Sequence, residues 1–589
     1  MTNSNSSLNI EVWEGINWQK VERYVFKLQK QIFKASRQGN KRKVRQLQKT
    51  LMRSWCNRLL AVRRVSQDNR GKKTAGVDGV KSLTPIARIK LANQLRLKGK
   101  SKATRRVWIP KPGKNEKRPL GIPTMHDRAL QGVIKNAIEP EWEAVFEPNS
   151  YGFRPGRACQ DAIQQIKFSI RQQPKYVLDA DISKCFDKID HNALLNKLGY
   201  KGKVRLQIKS WLKSGVIDNN TFLDTEEGTP QGGVISPLLA NIALHGLEKH
   251  LNQFAKTIDM KRLNSHHQVG WQMKVQSLNF IRYADDFVLI HKDKKVILEG
   301  KKVIKKWLSK VGLELKPSKT RIAHTLIPEE SEDGLAGFNF LGFHIQQFRV
   351  GFHSSIRLSA GKRPGIRTII IPTKEACSKH QIKLKEIIKN KKFKNQIDLI
   401  VKLNPVIRGW MNYYKTSDIS TTGIHTKQDH LLQNKLRSWS RRRCNTKWKN
   451  AYMKYWNHVT VRNKKVKRFS VRENGLYLIR HADTSCSNKY VKVKGNASPY
   501  DGNLSYWATR MGRHPEMDSL KANLLKKQRG KCARCGLYIR NGDIQETDHI
   551  IAKKLSGKNV YSNYQLLHGH CHDEKTALDI KLINAARSL

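Results

Sequence analysis

Two adjacent carboxylates, Asp285 and Asp286, stand between two apolar runs, Phe280-Ile281 before them and Phe287-Val288-Leu289-Ile290 after. Flanks of this length read as two short buried strands joined by a tight turn at Tyr283-Ala284-Asp285-Asp286. Side by side, the acids repel each other, and next to buried strands each is costly to desolvate. A bound divalent cation removes both penalties, because Mg²⁺ prefers hard oxygen ligands. Taken alone the pair reads as a solvated hairpin turn, since Asp favours turns. The rest of the chain changes that reading.

With 589 residues the chain has room for several domains of about 150 residues each. Lys and Arg number 113 against 47 Asp and Glu, a formal net charge of +66 spread along almost the whole length. Such a chain repels itself unless a polyanion is bound. Nucleic acid is the expected partner, held with a steep dependence on salt. No membrane partner is expected, because no apolar run approaches the roughly 20 residues needed to span a bilayer. The first 15 residues lack an apolar signal core, and Glu11 and Glu14 argue against a transit peptide. The nine cysteines are scattered except for a cluster after residue 530. That is the pattern of a reducing compartment with one metal site, not of a disulfide framework.

In chain order, residues 16–66 read as two basic helices with apolar stripes at Val21, Tyr24, Val25, Leu28 and Ile32 and at Val44, Leu47, Leu51, Leu59 and Leu60. Next, Trp108-Ile109-Pro110-Lys111-Pro112-Gly113 leads into Arg118-Pro119-Leu120-Gly121-Ile122-Pro123, a strand, a turn and a return strand. Such a hairpin brings Lys111 and Arg118 together, a pair suited to a triphosphate. Helices are expected over 125–147 and from about Cys159, on either side of SYGFRPGR at 150–157. The strand Tyr176-Val177-Leu178 then runs into Asp179, Asp181 and Asp187, any of which spacing alone allows to join the Asp285-Asp286 turn. Helices follow over 191–213 and 238–251, the second fed by the Gly/Pro loop GTPQGGVISP at 228–237.

Taken together and in order, IPKPG…RPLGIP, SYGFRPGR, DADISKCFD, GTPQGGVISP, YADD, GLELKPSKT and FNFLGF resemble the reverse transcriptases of group II intron maturases over roughly residues 75–345. Each stretch is modest, but the ordered set is specific. The resemblance implies a right-hand polymerase, with fingers and a palm whose antiparallel sheet is flanked by helices. It selects Asp181, five positions before Phe186, and implies that Asp181, Asp285 and Asp286 are catalytic and hold two Mg²⁺ ions. Such a pair, about 3.5–4 Å apart, activates a primer 3′-hydroxyl and stabilises the leaving pyrophosphate. By the same match Phe186 excludes a ribose 2′-hydroxyl and Gln231 lies near the template–nucleotide pair. The match also implies that Lys111 and Arg118 grip the deoxynucleoside triphosphate and that Lys319 is a proton donor to pyrophosphate.

Residues 376–480 are basic and helical in pattern, and LNPVIRGWMNYY at 403–414 resembles the thumb of that family, which grips intron RNA. Arg441-Arg442-Arg443, Trp448 and Trp456 interleave cations with rings, the rings expected mostly inward and the charges outward to RNA. Residues 481–525 turn to Ser, Asn, Gly and Lys with weak periodicity, a linker or a small DNA-contacting segment.

The last 65 or so residues carry a second signal. Cys532-x-x-Cys535 and a later His568-x-x-Cys571 have the spacing of one tetrahedral structural zinc, with His570 as a rival ligand. With Asp548-His549, Asn563 and His572, the stretch resembles an HNH endonuclease, a small zinc-containing ββα-metal domain. The resemblance implies that His549 is the general base, that Asp548 and His572 hold a catalytic divalent metal, and that Asn563 fixes the loop carrying the base. His568 departs from it, standing where many relatives carry Cys. A zinc-stabilised DNA-binding knob without cleavage is the plainer alternative.

The fold expected is therefore multidomain α/β. It comprises a basic helical extension over 1–74, fingers and palm over 75–370, a helical thumb over 371–480, a DNA-binding segment or linker over 481–525 and the nuclease over 526–589. The function expected is that of a mobile-intron protein that binds its intron RNA as a ribonucleoprotein, assists splicing, nicks a double-stranded DNA target and copies the RNA from the new 3′ end. A bacterial cytoplasm, on the nucleoid when DNA-bound, is expected rather than an organelle. The alternatives are a splicing maturase with decayed enzymes and a host-defence reverse transcriptase. The complete acid triad and the nuclease residues speak against the first; the thumb and the nuclease tail speak against the second.

Overall fold

The computed structural model describes residues 13–110, 116–171, 173–218, 221–225, 227–229, 231–261, 267–351, 365–390, 395–473, 475–487 and 490–586. Three helices begin it, where two were expected: α1 (Trp18–Arg37), α2 (Lys41–Arg53) and α3 (Trp55–Arg63). The break falls at Ser54, which is extended and caps α3 by accepting a hydrogen bond from Asn57 N through Oγ. After α4 (Pro85–Gln94), strands β1 (Thr104–Pro110) and β2 (Lys117–Ile122) form the expected antiparallel hairpin, with Ile109 opposite Arg118. Lys111 lies outside the described residues.

Helix α5 (Met125–Glu143) is buried along most of its length, because α1, α2 and α3 cover it on one side. Their apolar stripes join it in one continuous core, which also holds palm residues such as Phe287 and Leu289. Buried polar bonds lock the packing: Gln29 Nε2 donates to Asn136 O and Asn136 Nδ2 to Asn57 Oδ1, at 3.0 and 2.7 Å. Helix α6 (Cys159–Ile170) follows the SYGFRPGR turn.

The palm sheet is built from β3 (Tyr176–Asp181), β6 (Asn279–Tyr283), β7 (Asp286–His291) and β8 (Arg321–His324), in the order β6-β7-β3-β8, all antiparallel. A smaller sheet orders β2-β1-β4-β5, with β4 (Val216–Asp218) and β5 (Thr221–Leu223). The single helices expected over 191–213 and 238–251 are each split in two, into His191–Leu198 and Gly202–Leu212 and into Ser236–Leu244 and Leu247–Lys256.

The thumb contains helices Lys374–Lys389, Gln396–Tyr414, Ile424–Cys444 and Trp448–Tyr455. It then departs from the all-helical expectation with a hairpin, Trp456–Val461 against Lys464–Phe469. Thumb and palm meet where Tyr413 and Tyr414 hydroxyls donate to Leu341 O and Gly342 O, and the Tyr413 ring stacks on Phe343 at 5.4 Å. Residues 481–525 are docked on the palm: Arg510 Nη2 binds both oxygens of buried Asp161 at 2.5 and 2.7 Å, and Val493 N donates to the same carboxylate.

The C-terminal domain has strands Gln545–His549 and Tyr564–His568 followed by helix Gly569–Ala585, a ββα unit. It rests on α1, with Arg540 Nη2 3.1 Å from Glu22 Oε2. Among the described residues no helix is long and apolar enough to cross a membrane.

Candidate active sites

The first site forms where β3 ends and β7 begins. Antiparallel register sets Asp181 opposite Asp286, while Ala284 and Asp285 make the two-residue turn from β6. Ile182 N donates to Asp285 O across the strand end, so the turn is stitched to β3. Of the three acids that spacing leaves open, Asp181 is the one beside the turn. Asp179 is 3.7 Å from Arg321 Nε, and Asp187 accepts from Gln231 Nε2 at 3.3 and 3.4 Å.

The turn holds a strained backbone, since Ala284 has φ +58°. Sequence reasoning did not single out the side chains that support it. Arg282 is fully buried and donates to Ala284 O, to Asn241 Oδ1 and to Ser150 Oγ. Tyr151 N donates to Arg282 O and Asn241 Nδ2 to Gly152 O, so the SYGFRPGR stretch lies flat along the hairpin. A Cβ on Gly152 would stand 2.4 Å from Ala284 N, which leaves glycine as the one residue that fits. Nothing local in the sequence shows this packing, because SYG and YADD lie far apart along the chain and meet only in the fold.

Electrostatics here favour a cation. Burial, then the Asp181 and Asp285 charges, push the Asp286 carboxyl up to about 7. Asp285 is raised chiefly by burial, with Asp181 adding to it. Lys319 Nζ lies 2.5 Å from Asp181 Oδ2. Burial alone depresses this ammonium, but the Asp181 hydrogen bond and the three carboxylates outweigh it and hold its pKa above the usual lysine value. A lysine thus stands beside Asp181 where positive charge is wanted, and carboxylate oxygens are the ligand type that a divalent metal such as Mg²⁺ takes.

Around the triad, Phe186 is half-buried and meets Phe153 edge-on, with ring centroids 5.9 Å apart. Behind it a Cβ on Gly228, itself at φ +84°, would be 2.5 Å from Phe186 O. The next amide, Thr229 N, donates to that oxygen. The GTPQGG loop therefore sets the position of the Phe186 ring. Gln231 O in turn accepts from Gly121 N, tying the loop to β2. Burial raises the carboxyl pKa of both Asp187 and Asp285, and the charge of Arg118, exposed on β2, offsets part of that rise.

In the C-terminal domain Cys532, Cys535, His568 and Cys571 bring their ligand atoms within 4.8 Å of one another, and this group could hold a metal. Nδ1 of His568 lies 3.3 Å from Cys535 Sγ, while Nε2 faces Asp543 at 3.6 Å, the outer support a ligating imidazole needs. His570, the rival ligand, stacks parallel to His568 but turns to Glu22 at 3.5 Å.

Beside this group Asp548 Oδ1 lies 3.9 Å from His572 Nε2, and Asp548 Oδ2 is 3.2 Å from Lys575 Nζ. A lysine again neutralises a carboxylate suited to a metal. Asn563 staples the loop after His549: its Nδ2 donates to Ile551 O and Lys558 O, and Ile551 N donates to its Oδ1. His549 Nε2 pairs with Asn559 Oδ1 at 2.9 Å, a partner sequence reasoning missed.

Comparison with known proteins agrees with this layout. The family described as reverse transcriptase (RNA-dependent DNA polymerase) matches residues 109–345, and the N-terminal domain of reverse transcriptase matches 13–95. The group II intron maturase-specific domain matches 377–456 and HNH endonuclease matches 532–578. The group II intron-encoded protein LtrA of Lactococcus lactis subsp. cremoris is 29% identical over 373 residues, 53% of this chain and 60% of that protein. Protein YkfC of Escherichia coli (strain K12) is 33% identical over 308 residues, 48% of this chain and 78% of that protein. Maturase-like protein 1 of Euglena gracilis is 29% identical over 429 residues, covering 70% and 79% of the two chains. The match thus spans about three fifths of LtrA's length. With polymerase, maturase and nuclease segments following one another in this order, the chain belongs to the group II intron-encoded reverse transcriptase and maturase family.

Proposed function

We propose that this chain is the protein of a mobile group II intron. It binds its intron RNA as a ribonucleoprotein, assists splicing, nicks one strand of a double-stranded DNA target and copies the RNA from the new 3′ end. The observation that carries the reading is the register of β3 on β7, which sets Asp181 against Asp286 beside the Asp285 turn, in a chain that also bears a maturase segment and a ββα nuclease.

When bound at the three acids, two Mg²⁺ ions supply activation of a primer 3′-hydroxyl and neutralisation of the leaving pyrophosphate. The protein's own groups do the positioning. Arg118, with Lys111, orients the triphosphate of the incoming deoxynucleotide. The Phe186 ring, fixed by the Gly228-Thr229 backbone, closes the space a 2′-hydroxyl would need, and Gln231 borders the template–nucleotide pair. Lys319 is the general acid for pyrophosphate. In the nuclease His549 takes the proton of the attacking water, and Asn559 and Asn563 hold its ring and loop. Asp548 and His572 hold the divalent metal, and Cys532, Cys535, His568 and Cys571 hold structural zinc. The bacterial cytoplasm is the compartment this reading implies.

The test uses the protein purified with the intron RNA transcribed from DNA flanking its reading frame. Asp285→Asn is expected to abolish primer extension while intron RNA binding stays nearly intact. His549→Ala is expected to lose target-strand nicking while primer extension persists. DNA synthesis surviving in the first variant would overturn the polymerase assignment, and undiminished nicking in the second the nuclease one.

A further inference from the structure

A cleft of about 940 Å³ opens between α2, α3, α5, the 95–97 segment and the turn at 199–204. None of the residues given a role above lines it. Its floor is apolar, with Met52, Leu97, Leu130, Val133 and Val204. Its rim is cationic, with Lys49, Arg53, Arg58, Arg96, Lys201 and Lys203, and no acidic residue is among those lining it. Arg45 also borders the cleft, but Glu141 takes its charge at 2.9 Å and its guanidinium lies 3.9 Å over the Tyr200 ring.

Among the described residues none of the six rim cations has a carboxylate partner. Arg58 is the most constrained of them. Its Nε is buried without a hydrogen-bond partner, and burial together with the nearby Arg96 charge disfavours its charged form. The cleft therefore joins a positive rim without carboxylate partners to an apolar floor. Its volume lies within the roughly 300–1,000 Å³ usual for small-molecule sites.

That combination selects a ligand with a flat apolar body and several anionic groups spaced around it. A stacked duplex supplies the phosphates but no base to cover the floor. A small anion leaves the floor empty and most of the rim unused. An unstacked nucleotide of an RNA strand supplies both, since RNA loops and bulges splay bases outward while the flanking phosphates stay on the strand. We propose that this cleft receives one unpaired nucleotide of the bound intron RNA, its base against Met52 and Leu97 and the adjoining phosphates on the rim. This rests on the intron RNA binding proposed above and adds a base-inserting subsite to it.

Two variants separate the parts. Arg53→Glu with Lys203→Glu reverses two exposed, unpaired rim charges. Met52→Trp fills the floor and keeps the charge. Binding of the flanking-DNA intron transcript and of an unrelated RNA of equal length is measured across a salt series, with nucleotide-resolution chemical footprinting. The rim variant is expected to bind the intron RNA about tenfold more weakly, its salt slope smaller by about 0.7 for each phosphate no longer neutralised. Met52→Trp is expected to weaken intron RNA about as much, with an unchanged salt slope and no effect on the unrelated RNA. Both should expose the same unpaired nucleotide, protected in the wild type, while primer extension on a homopolymer template stays unchanged. Wild-type affinity and footprint in both variants would overturn the subsite and leave the intron reading standing. A wild-type protein with no preference for the intron RNA would instead defeat the intron reading. Competition by polyglutamate as effective as by an unpaired oligoribonucleotide would make this an acidic-polypeptide site and overturn the proposal.

Discussion

Asp181 and Asp286 oppose each other across an antiparallel pair, where like charges destabilise a sheet. The Asp286 carboxyl, pushed up to about 7 from an ordinary 3.8, binds its proton more tightly folded than unfolded. Without metal, stability therefore falls as pH rises from about 4 towards 7 and levels off above that. A divalent cation on the ionised acids opposes the loss. Thermal melts should show Mg²⁺ raising the midpoint more near pH 8 than near pH 5, and Asp286→Asn should erase the difference. A Mg²⁺ effect independent of pH would contradict the placement of the cation at these acids. At this scale the acids were legible, because each lies at a strand end or in the adjoining turn, within a recognisable run. Asn559 beside His549 was not, since nothing in its local spacing marks it as a partner.

The catalytic hairpin depends on a second element to stay bent. Arg282 and the 150–152 backbone hold the Ala284 turn from behind, and Gly152 leaves no room for a side chain. Gly152→Ala should displace the turn by a fraction of an ångström or more, since overpacking costs about 1–3 kcal/mol when neighbours cannot yield. Primer extension is expected to fall by about 100-fold from such a misplacement, while nicking by the distant nuclease is unchanged. Equal rates in both assays would show that the turn does not need this support. Packing between elements also hides structure from the sequence. The thumb hairpin has the alternation of Val459 and Val461, and its turn residues Arg462 and Asn463 both have positive φ, as a tight two-residue hairpin requires. The basic composition of the surrounding helices masked it.

Over the whole molecule, residues 518 positions apart meet where Glu22 of α1 bonds Arg540 of the nuclease. Arg540 also lies 4.7 Å over the Phe26 ring and donates to Asp543, the carboxylate behind His568. Arg63 of α3 approaches Asp573 at 3.7 Å. The nuclease is thus seated on the N-terminal helices, and its metal group is braced through them. Glu22→Gln should weaken this seat by about 1.5–3 kcal/mol, the usual worth of a hydrogen bond to a charged group. Hydrogen exchange over residues 540–570 should quicken and bound metal should pass faster to a chelator, with primer extension unaffected. Unchanged exchange would mean that the remaining packing suffices.

What the sequence determined by itself was chemistry carried by short, local patterns: acids at strand ends, Cys and His at ligand spacing, and an excess of cations that calls for a polyanion. These survive without coordinates because strand, turn and metal-knuckle geometry is set within a few residues. Tertiary structure alone decided how Gly152 clamps the turn and where the nuclease rests. It also supplied the register that sets Asp181, the acid selected by resemblance, opposite Asp286, and the packing that puts His568 rather than its rival His570 among the cysteines. Each of those depends on strand register or on packing between distant segments, and side-chain direction changes with a shift of one residue in either.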